Sequence, residues 1–309
     1  MRIETYTPEL GQAVEALQRR YIAAQPQGSK FVPKELYEEH PALEGGQNAF
    51  CALDRDGVLT GYGALIPTPA VPDSPPDIPN TIWVHIRVDP QVGDWESIQQ
   101  AIYQAILDKS LTYRQAWPGR ETRLAISYPD SRHREIDFFV SQGLAPFDAL
   151  LRMRRDLSEP PPELSLPPAL TVRRWKMEQR EEKERYLQIE SAVSPQSPRS
   201  LEELEFYMRS WLGGTAISAF DRAGQIVSSV MAYWYGGQHG VTEDVFTVPG
   251  WRRLGVAKYL LADGIKYLRE KGLWTAGLEV KESNQPAVRL YQALDYTIIN
   301  REAQLALTL

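Results

Sequence analysis

A basic loop at Arg252–Lys258 has the residue types that bind an anion. Arg252, Arg253 and Lys258 supply positive charge, and Gly255 lies between them. The loop is too short for a nucleotide-binding P-loop, because no second glycine stands four residues before a Gly-Lys-Ser/Thr. We therefore expect an anion to be held by local charge and by the backbone.

Two regular elements are predicted on either side of this loop. The β-branched and aromatic residues of Val245–Val248 favour a strand, which Pro249 ends. Apolar residues then recur at helical spacing over Val256–Lys271, and Gly272 stands where a helix would stop. A helix that begins directly after the loop directs unpaired N–H groups and a positive dipole end towards it.

The spacing Arg252-x-x-Gly255-x-Ala257 between a strand and a helix resembles the acyl-CoA pyrophosphate loop of the GNAT acetyltransferase superfamily. That pattern is Gln/Arg-x-x-Gly-x-Gly/Ala. The stretch from Ser283 to Tyr291 resembles the family's Asn-x-x-Ala-x-x-Leu-Tyr helix. The family then has a glycine and an aromatic residue where this chain has Asp295-Tyr296, a mild departure because aspartate tolerates left-handed backbone.

The resemblance implies a binding site for acetyl-CoA as co-substrate. The arm of the cofactor would enter between strands near residues 245–248 and 278–280, and Asn284 would bond its pantetheine part. The residues that the resemblance assigns to binding are Val245, Phe246, Thr247, Val248, Arg252, Arg253, Leu254, Gly255, Val256, Ala257, Lys258 and Asn284.

Tyr291 matches the family tyrosine that protonates the departing thiolate. The reference pKa values, roughly 10 for tyrosine and 8.5 for a thiol, make full proton transfer uphill by about 2 kcal/mol. Tyr291 would therefore act through a hydrogen bond as the tetrahedral intermediate collapses. The alternative is that Tyr291 is an ordinary half-buried helix aromatic.

Glu243 opens the central strand, where many family members carry a carboxylate that accepts the proton of the amine. A glutamate is a poor base for an ammonium group, so burial or a water chain must help. The alternative is that Glu243 is a solvated acid at a strand end. His239 and Asp244 are the other candidates for the base. The run Tyr233–Tyr235 alternates sides of a strand, so part of it is core and part could line the acceptor pocket.

Composition sets limits on the class of protein. The chain has 309 residues, 43% hydrophobic and 24% charged, which fits a globular protein of two domains. Cys51 is the one cysteine, so no intramolecular disulfide forms, and four scattered histidines predict no metal site. A net charge of −6 argues against nucleic-acid binding, and no apolar run is long enough to span a membrane. We expect a cytoplasmic monomer or homodimer with no membrane partner.

The chain reads as a diverged internal repeat. Asp54 and Asp221 begin two similar hairpin turns that lie 167 residues apart, and the predicted order of elements restarts after a proline-rich stretch. The predicted class is α/β (α+β), with two tandem GNAT-like domains, each a mixed, mainly antiparallel sheet flanked by helices. We predict a degenerate domain at 1–157, a linker at 158–168 and a catalytic domain at 169–309.

The first copy lacks the residues of the loop. Aligning Val88-Asp89-Pro90 with Thr247-Val248-Pro249 puts Gly93, Glu96 and Ile98 at the positions of Arg252, Gly255 and Ala257. The same comparison puts Arg132 opposite Asn284 and Phe139 opposite Tyr291. A carboxylate repels pyrophosphate and phenylalanine donates no proton, so the N-terminal domain is predicted not to bind CoA.

The function predicted is transfer of an acetyl group from acetyl-CoA to a primary amine of a small molecule, by direct attack. A non-catalytic acyl-CoA-binding sensor is the alternative from another class. The tandem layout also resembles mycothiol synthase, which acetylates an amino-sugar-linked cysteine. The acidic chain and intact loop disfavour an aminoacyl-tRNA-dependent transferase. The acceptor itself depends on variable loops such as Glu190–Arg199, Gly236–Gly240 and Pro67–Asn80.

Overall fold

The computed structural model of the chain describes residues 1–24, 40–70, 74–195 and 199–309. Contacts divide the chain into two units, which are Met1–Phe147 with Ala303–Leu309, and Asp148–Glu302. The first unit ends ten residues before the predicted boundary at 157 and includes the last seven residues of the chain, which the prediction assigns to the second domain. The domain boundaries stay a prediction.

Within the described residues, the helices and strands of the first half follow the predicted order. They are β1 (Arg2–Thr5), α1 (Gly11–Ala23), β2 (Ala49–Leu53), β3 (Leu59–Thr68), β4 (Asn80–Val88), α2 (Trp95–Ala116), β5 (Thr122–Pro129), α3 (His133–Ser141) and β6 (Ala145–Asp156). The sequence also favours a short helix at Lys34–His40, which lies outside the described residues except for His40. Residues 71–73 of the loop predicted at Pro67–Asn80 lie outside them as well.

The second half repeats this order. Its elements are β7 (Thr171–Trp175), α4 (Arg180–Val193), α5 (Leu201–Ser210), β8 (Gly213–Phe220), β9 (Ile226–Trp234), β10 (His239–Thr247), α6 (Val256–Glu270), β11 (Thr275–Lys281), α7 (Gln285–Gln292) and β12 (Thr297–Thr308). The sequence favours two short strands at Tyr296–Asn300 and Ala303–Leu309. The structure has one continuous strand, β12, in their place, because no turn residue separates them.

Each unit contains a mixed, mainly antiparallel sheet. In the first unit the strand order is β1-β2-β3-β4-β5, and β5 is followed by the end of β12. In the second unit the order is β6-β11-β10-β9-β8-β7. The parallel neighbours are β4 with β5 and β10 with β11. The predicted class of each sheet is therefore confirmed.

The two hairpin turns that indicated a repeat have the same construction. In each turn the glycine N–H bonds the aspartate carbonyl, at 3.3 Å for Gly57 and Asp54 and at 3.0 Å for Gly224 and Asp221. Each aspartate Oδ1 also accepts two backbone N–H groups, two and four residues further on. Both glycines have positive φ, 80° and 73°, which a side chain would resist.

Helices cover both faces of the sheet in the second unit. The apolar stripe of α6, including Leu260 and Ile265, packs with Ala232 of β9 in one core cluster. On the opposite face α4 and α5 pack with Met231 of β9 in a second cluster, with Tyr186 fully buried. Because side chains alternate along β9, neighbouring residues belong to different cores.

The predicted linker packs along the second unit. Residues 158–168 form neither helix nor strand, and Leu164 and Leu166 contact the α6-side core. Arg269 of α6 donates a hydrogen bond to the Leu157 carbonyl at 3.0 Å. The proline-rich segment is thus held to the unit by apolar contacts and hydrogen bonds.

Candidate active site

The two parallel strands of the second unit separate part-way along their length. Register between β10 and β11 runs from His239 opposite Thr275 to Val241 opposite Gly277, and there it ends. Beyond that point β11 continues to pair with β6 up to Lys281. The opening lies at the height predicted for the pantetheine arm, and backbone groups on the facing edges are left for a ligand.

The basic loop follows β10 and ends at the start of α6. A short 3₁₀ turn at Pro249–Trp251 comes first, and Arg253 and Gly255 then adopt positive φ values of 63° and 79°. The first bond of α6 runs from the Tyr259 N–H to the Gly255 carbonyl, at 3.0 Å. The N–H groups of residues 256–258 precede that bond, so the loop has the backbone of an anion site.

Exposure and charge at the loop also suit an anion. Residues 252–255 are exposed, and Lys258 is half-buried in the first turn of the helix. The Arg252 Nε donates to the Thr247 carbonyl at 3.0 Å, which fixes the arginine to the end of β10. Its other guanidinium nitrogens remain available to a ligand, because none of them has a hydrogen bond within the described residues.

Asn284 caps the N-terminus of α7. Its side-chain oxygen accepts the Ala287 N–H at 3.3 Å, and the residue is exposed. The segment before it is tied to β6, since the Ser283 hydroxyl donates to Asp148 at 2.7 Å. Capping uses the Asn284 oxygen, so the amide NH₂ is the group left to contact a pantetheine arm.

Tyr291 lies on α7 and is 7% exposed, packed in the α6-side core. Burial, and next the negative charges of Glu243 and Asp244, raise its pKa to about 12. The tyrosine is therefore within electrostatic range of the carboxylates of β10, although it lies on a different element. At neutral pH it keeps its proton, so it can donate a hydrogen bond but cannot act as a base.

Glu243 is half-buried on β10 and has a tyrosine partner. The Tyr233 hydroxyl of β9 donates a hydrogen bond to its carboxylate. Tyr233 itself stacks on Trp211 with 4.5 Å between ring centroids and 6° between planes. The carboxylate is thus held by a side chain that has little freedom to move.

Tyrosines line the sheet face on which Glu243 lies. Tyr235 meets Tyr233 edge-on at 5.3 Å, while Trp234 lies on the opposite face near Tyr267. Tyr207 of α5 is close enough for the charge of Glu243 to add to the burial that raises its pKa. Two members of the predicted aromatic run therefore share a face with the candidate base, and Trp234 belongs to the core.

The other candidates for the base are placed differently. His239 begins β10 and bonds the Thr275 hydroxyl at 2.8 Å, four residues from Glu243, which is about 13 Å along a strand. Asp244 accepts a hydrogen bond from Arg199 at 2.7 Å. Neither residue replaces Glu243 in this arrangement.

Of the residues assigned to cofactor binding, the strand-end residues divide between the two cores. Phe246 is 4% exposed and packs on Tyr186, at 5.4 Å between rings. Val245 and Val248 contact the α6-side core, and Thr247 bonds Ser228 at 2.8 Å. Here a ligand would meet backbone rather than side chains.

Comparison with known proteins identifies the family of the second half of the chain. Residues 170–296 match the model of the acetyltransferase (GNAT) family. The chain carries a GNAT-family domain. Its whole length resembles a GCN5-related N-acetyltransferase from Sphaerobacter thermophilus, with a TM-score of 0.76 and 18% identity over 99% of this chain and 95% of that one.

The tandem arrangement of the fold is also found among solved structures. A tandem GNAT protein from the clavulanic acid biosynthesis pathway aligns with a TM-score of 0.70 and 14% identity, over 99% of this chain and 98% of that chain. At such identities the likeness concerns the fold alone. The predicted tandem GNAT fold is confirmed.

Curated relatives align over part of their length. A mycothiol acetyltransferase of Thermomonospora curvata is 28% identical over 167 residues, which are 51% of this chain and 54% of the relative. The corresponding protein of Thermobispora bispora is 30% identical over 50% of this chain and 56% of its own length. The alignments thus span about half the length of these relatives.

The first GNAT fold has the same opening between strands, but the side chain of Tyr128 bridges it. Register between β4 and β5 ends at Val84 opposite Ile126. The Tyr128 hydroxyl then bonds the Ile86 carbonyl at 2.7 Å, and Arg132 lies over the ring of Tyr21 at 4.6 Å. A backbone acceptor on the edge of β4 is therefore already used.

The loop comparison made from the sequence needs one correction. The loop between β4 and α2 is two residues shorter than that between β10 and α6, so Asp94, rather than Glu96, stands at the helix start where Gly255 stands. Ile98 is buried in the core of its unit instead of facing the loop. An acidic side chain still replaces the glycine, and Arg132 still aligns with Asn284 as the residue before a helix.

The described residues contain neither a metal-binding cluster nor a membrane-spanning helix. Among residues 1–24, 40–70, 74–195 and 199–309, no group of three or more His, Cys, Asp or Glu side chains is arranged to hold a metal ion. None of the helices in the same ranges has the length and apolar character needed to cross a membrane.

Sequence reasoning missed two contacts of the site. Arg199, which bonds Asp244, was only part of a variable loop in the sequence, and Tyr233 was only one of three adjacent aromatics. The partners lie 45 and 10 residues away in the chain, respectively. No short motif signals either contact.

Proposed function

We propose that the chain transfers an acetyl group from acetyl-CoA to a primary amine of a small molecule. The observation that carries this proposal is that β10 and β11 stop pairing after Val241, two residues before Glu243, on the strand that leads into the basic loop before α6. The negative charge of Glu243 also acts on Tyr291 of α7, whose hydroxyl stays protonated.

Acetyl-CoA fits the residues on this side of the second unit. Its pyrophosphate would meet the N–H groups at the start of α6 and the side chain of Arg252, and each hydrogen bond to a charged acceptor contributes roughly 1.5–3 kcal/mol. Asn284 keeps an amide NH₂ for the carbonyl groups of the pantetheine arm. No metal is needed for these contacts.

The amine attacks the thioester carbonyl directly, and the C–S bond breaks as the tetrahedral intermediate collapses. Glu243, held by Tyr233, takes up the proton of the amine, directly or through water. Tyr291 donates a hydrogen bond to the sulfur as negative charge develops on it. With a tyrosine pKa of about 12 against roughly 8.5 for a thiol, complete transfer of the proton would be uphill by about 5 kcal/mol.

In this proposal the N-terminal GNAT fold does not bind CoA. Tyr128 bonds the Ile86 carbonyl across the opening between β4 and β5, and Arg132, which packs on Tyr21, stands where the second copy has Asn284. An aspartate precedes α2 where the second copy has Gly255. We therefore assign one acetyl-CoA site to each chain, in the second unit.

A mycothiol-type acceptor is the second candidate within the same chemistry. The curated relatives that support it are named mycothiol acetyltransferases and are 28–30% identical over about half their length. A non-catalytic sensor of acyl-CoA is the alternative of another class, which the basic loop fits equally well. Tyr291 and Glu243 favour the enzyme, since a sensor needs neither.

The test is release of free CoA from acetyl-CoA, followed with a thiol reagent over a panel of amines that includes the amino-sugar-linked cysteine. We expect release with at least one amine and its loss in Glu243→Gln. Acetyl-CoA binding without release on any member of the panel would favour the sensor.

A further inference from the structure

An irregularity in β10 lies directly beside Glu243. Glu243 pairs with Met231 and Phe246 pairs with Ser229, so two residues of β10 stand opposite one residue of β9. The first of the two, Asp244, has a φ of 54°. This is a β-bulge, which bends a strand and re-aims its side chains.

The bulge puts two consecutive carboxylates on the same face of the sheet. In a regular strand neighbouring side chains alternate, and Thr242 does lie on the other face, where it bonds Tyr296 at 2.8 Å. Glu243 is held by Tyr233 on the face covered by α4 and α5, and Asp244 also bonds a partner on that face. Two like charges side by side repel each other, and left-handed backbone, although aspartate tolerates it better than most residues, is less favourable for aspartate than for glycine.

Arg199 compensates for both effects. It donates to Asp244 at 2.7 Å, and its other terminal nitrogen donates to Glu190 in the last turn of α4. The side chains of Arg199, Glu190 and Asp244 are 17%, 9% and 22% exposed. A largely desolvated guanidinium fork of this kind holds its partners in a defined geometry.

We propose that Arg199 is a positioning residue of the transfer site, which fixes the bulge of β10 through Asp244 and so keeps Glu243 in place beside Tyr233. The inference rests on the proposed function and adds to it the residue that sets the geometry of the base. The arginine acts through Asp244 and does not touch either substrate.

The loss of Arg199 would leave Asp244 and Glu190 without their cation next to Glu243. The bulge would lose its anchor to α4, and the carboxylate of Glu243 would shift relative to the attacking amine. Displacement of about 1 Å in a reacting group can lower the rate about 100-fold. The loop before α6 is not part of this cluster and keeps its contacts to the pyrophosphate, so acetyl-CoA affinity should change much less than the amine kinetics.

The chain contains a matched control in Arg174. This arginine of β7 also bridges two carboxylates, Asp263 and Glu270 of α6, at 2.7 and 2.8 Å. It has the same type of ion pair in the same unit but no contact with the bulge. Arg174→Met therefore reports the general effect of removing a two-carboxylate arginine.

The experiment compares Arg199→Met, Arg199→Lys and Arg174→Met in steady-state kinetics and in calorimetry with acetyl-CoA. We expect Arg199→Met to lower kcat/KM for the amine about 10- to 100-fold with a much smaller change in acetyl-CoA affinity. Arg199→Lys should recover part of the loss, and Arg174→Met should match the wild type. Asp244→Asn, which keeps an oxygen for the arginine and tolerates positive φ, should be milder than Arg199→Met.

Two results would overturn the inference. One is wild-type amine kinetics in Arg199→Met while Glu243→Gln is inactive, which leaves the proposed function intact. The other is a result of hydrogen exchange, which is measured if no amine is acetylated or if Arg199→Met folds poorly. Amide hydrogen exchange over residues 241–248 is then compared between Arg199→Lys and Arg174→Met, and equal protection in the two variants refutes the role of Arg199.

Discussion

Replacing Tyr291 by phenylalanine isolates one hydroxyl group at the candidate site. The ring remains in the core, and no described residue forms a hydrogen bond with the hydroxyl, so the folded state loses no partner. Because its pKa is raised to about 12, the Tyr291 hydroxyl stays protonated and can donate a hydrogen bond to the sulfur of CoA. A bond of this kind to a charged group contributes about 1.5–3 kcal/mol, which corresponds to a fall in kcat of about 10- to 150-fold.

Tyr296 is the matched control for this change. Its ring lies 6.1 Å from that of Tyr291, and its hydroxyl bonds Thr242 at 2.8 Å in the interior. Tyr296→Phe leaves the buried Thr242 oxygen without its partner, so we expect a loss of about 1–3 kcal/mol in the free energy of unfolding and a normal kcat. Tyr291→Phe should show the opposite pattern, with normal stability and reduced kcat.

The assay is CoA release at saturating acetyl-CoA, together with urea unfolding of both variants. Because the pKa of Tyr291 is raised to about 12, its ionisation should not reduce kcat below about pH 11. Full turnover in Tyr291→Phe refutes the assigned role. An alkaline fall near pH 9 that is present in the wild type and absent from the variant refutes the electrostatic reasoning.

Three further results are expected. Gly255→Ala should weaken acetyl-CoA binding about 5- to 100-fold in calorimetry, because the φ of 79° at Gly255 is strained for alanine. A Cβ at this position would meet open space, so the variant tests backbone strain alone. Gly250→Ala is the control, since it also faces open space but lacks a positive φ, and it should bind acetyl-CoA normally. The same titration of the wild type should give one acetyl-CoA per chain, and a stoichiometry of two would contradict the bridged opening of the first unit. Burial raises the pKa of Glu190 from 4.5 to about 7, so the folded state binds more protons than the unfolded state in that range. Stability should therefore fall as pH rises from about 4.5 to 7, and denaturant unfolding of Glu190→Gln should show a smaller fall.

Much of the fold follows from local patterns. The strand at Val245–Val248, the helix that begins at Val256 and the aspartate–glycine turns obey rules that act over a few residues. For the same reason Arg252–Lys258 and Asn284 are found where the sequence places them, at helix starts. The repeat could be recognised because the same short signals occur twice in the same order.

Other features depend on residues that are distant in the chain. The sequence predicts β6 as the last strand of the first domain, yet its residues 150–156 pair with β11 of the second unit. The alignment of the two loops before α2 and α6 was also wrong by two residues. Two diverged loops share no residue that marks where the helix begins, so their lengths cannot be compared from the sequence. Such assignments depend on which strand edge is free, and composition does not reveal this.

The sequence by itself determined the tandem GNAT fold, the strand–turn–helix that carries Arg252–Lys258 and the choice of Tyr291 and Glu243 as candidate residues, because periodicity, turn chemistry and motif spacing are local properties. Tertiary structure alone decided how Glu243 is held. The bulge at Asp244, the bond from Tyr233 and the Arg199 bridge between α4 and β10 join residues that are separate in the chain. The physical reason is that a desolvated ion pair or hydrogen bond forms only where packing brings both partners together, and either partner alone carries no signal of the other.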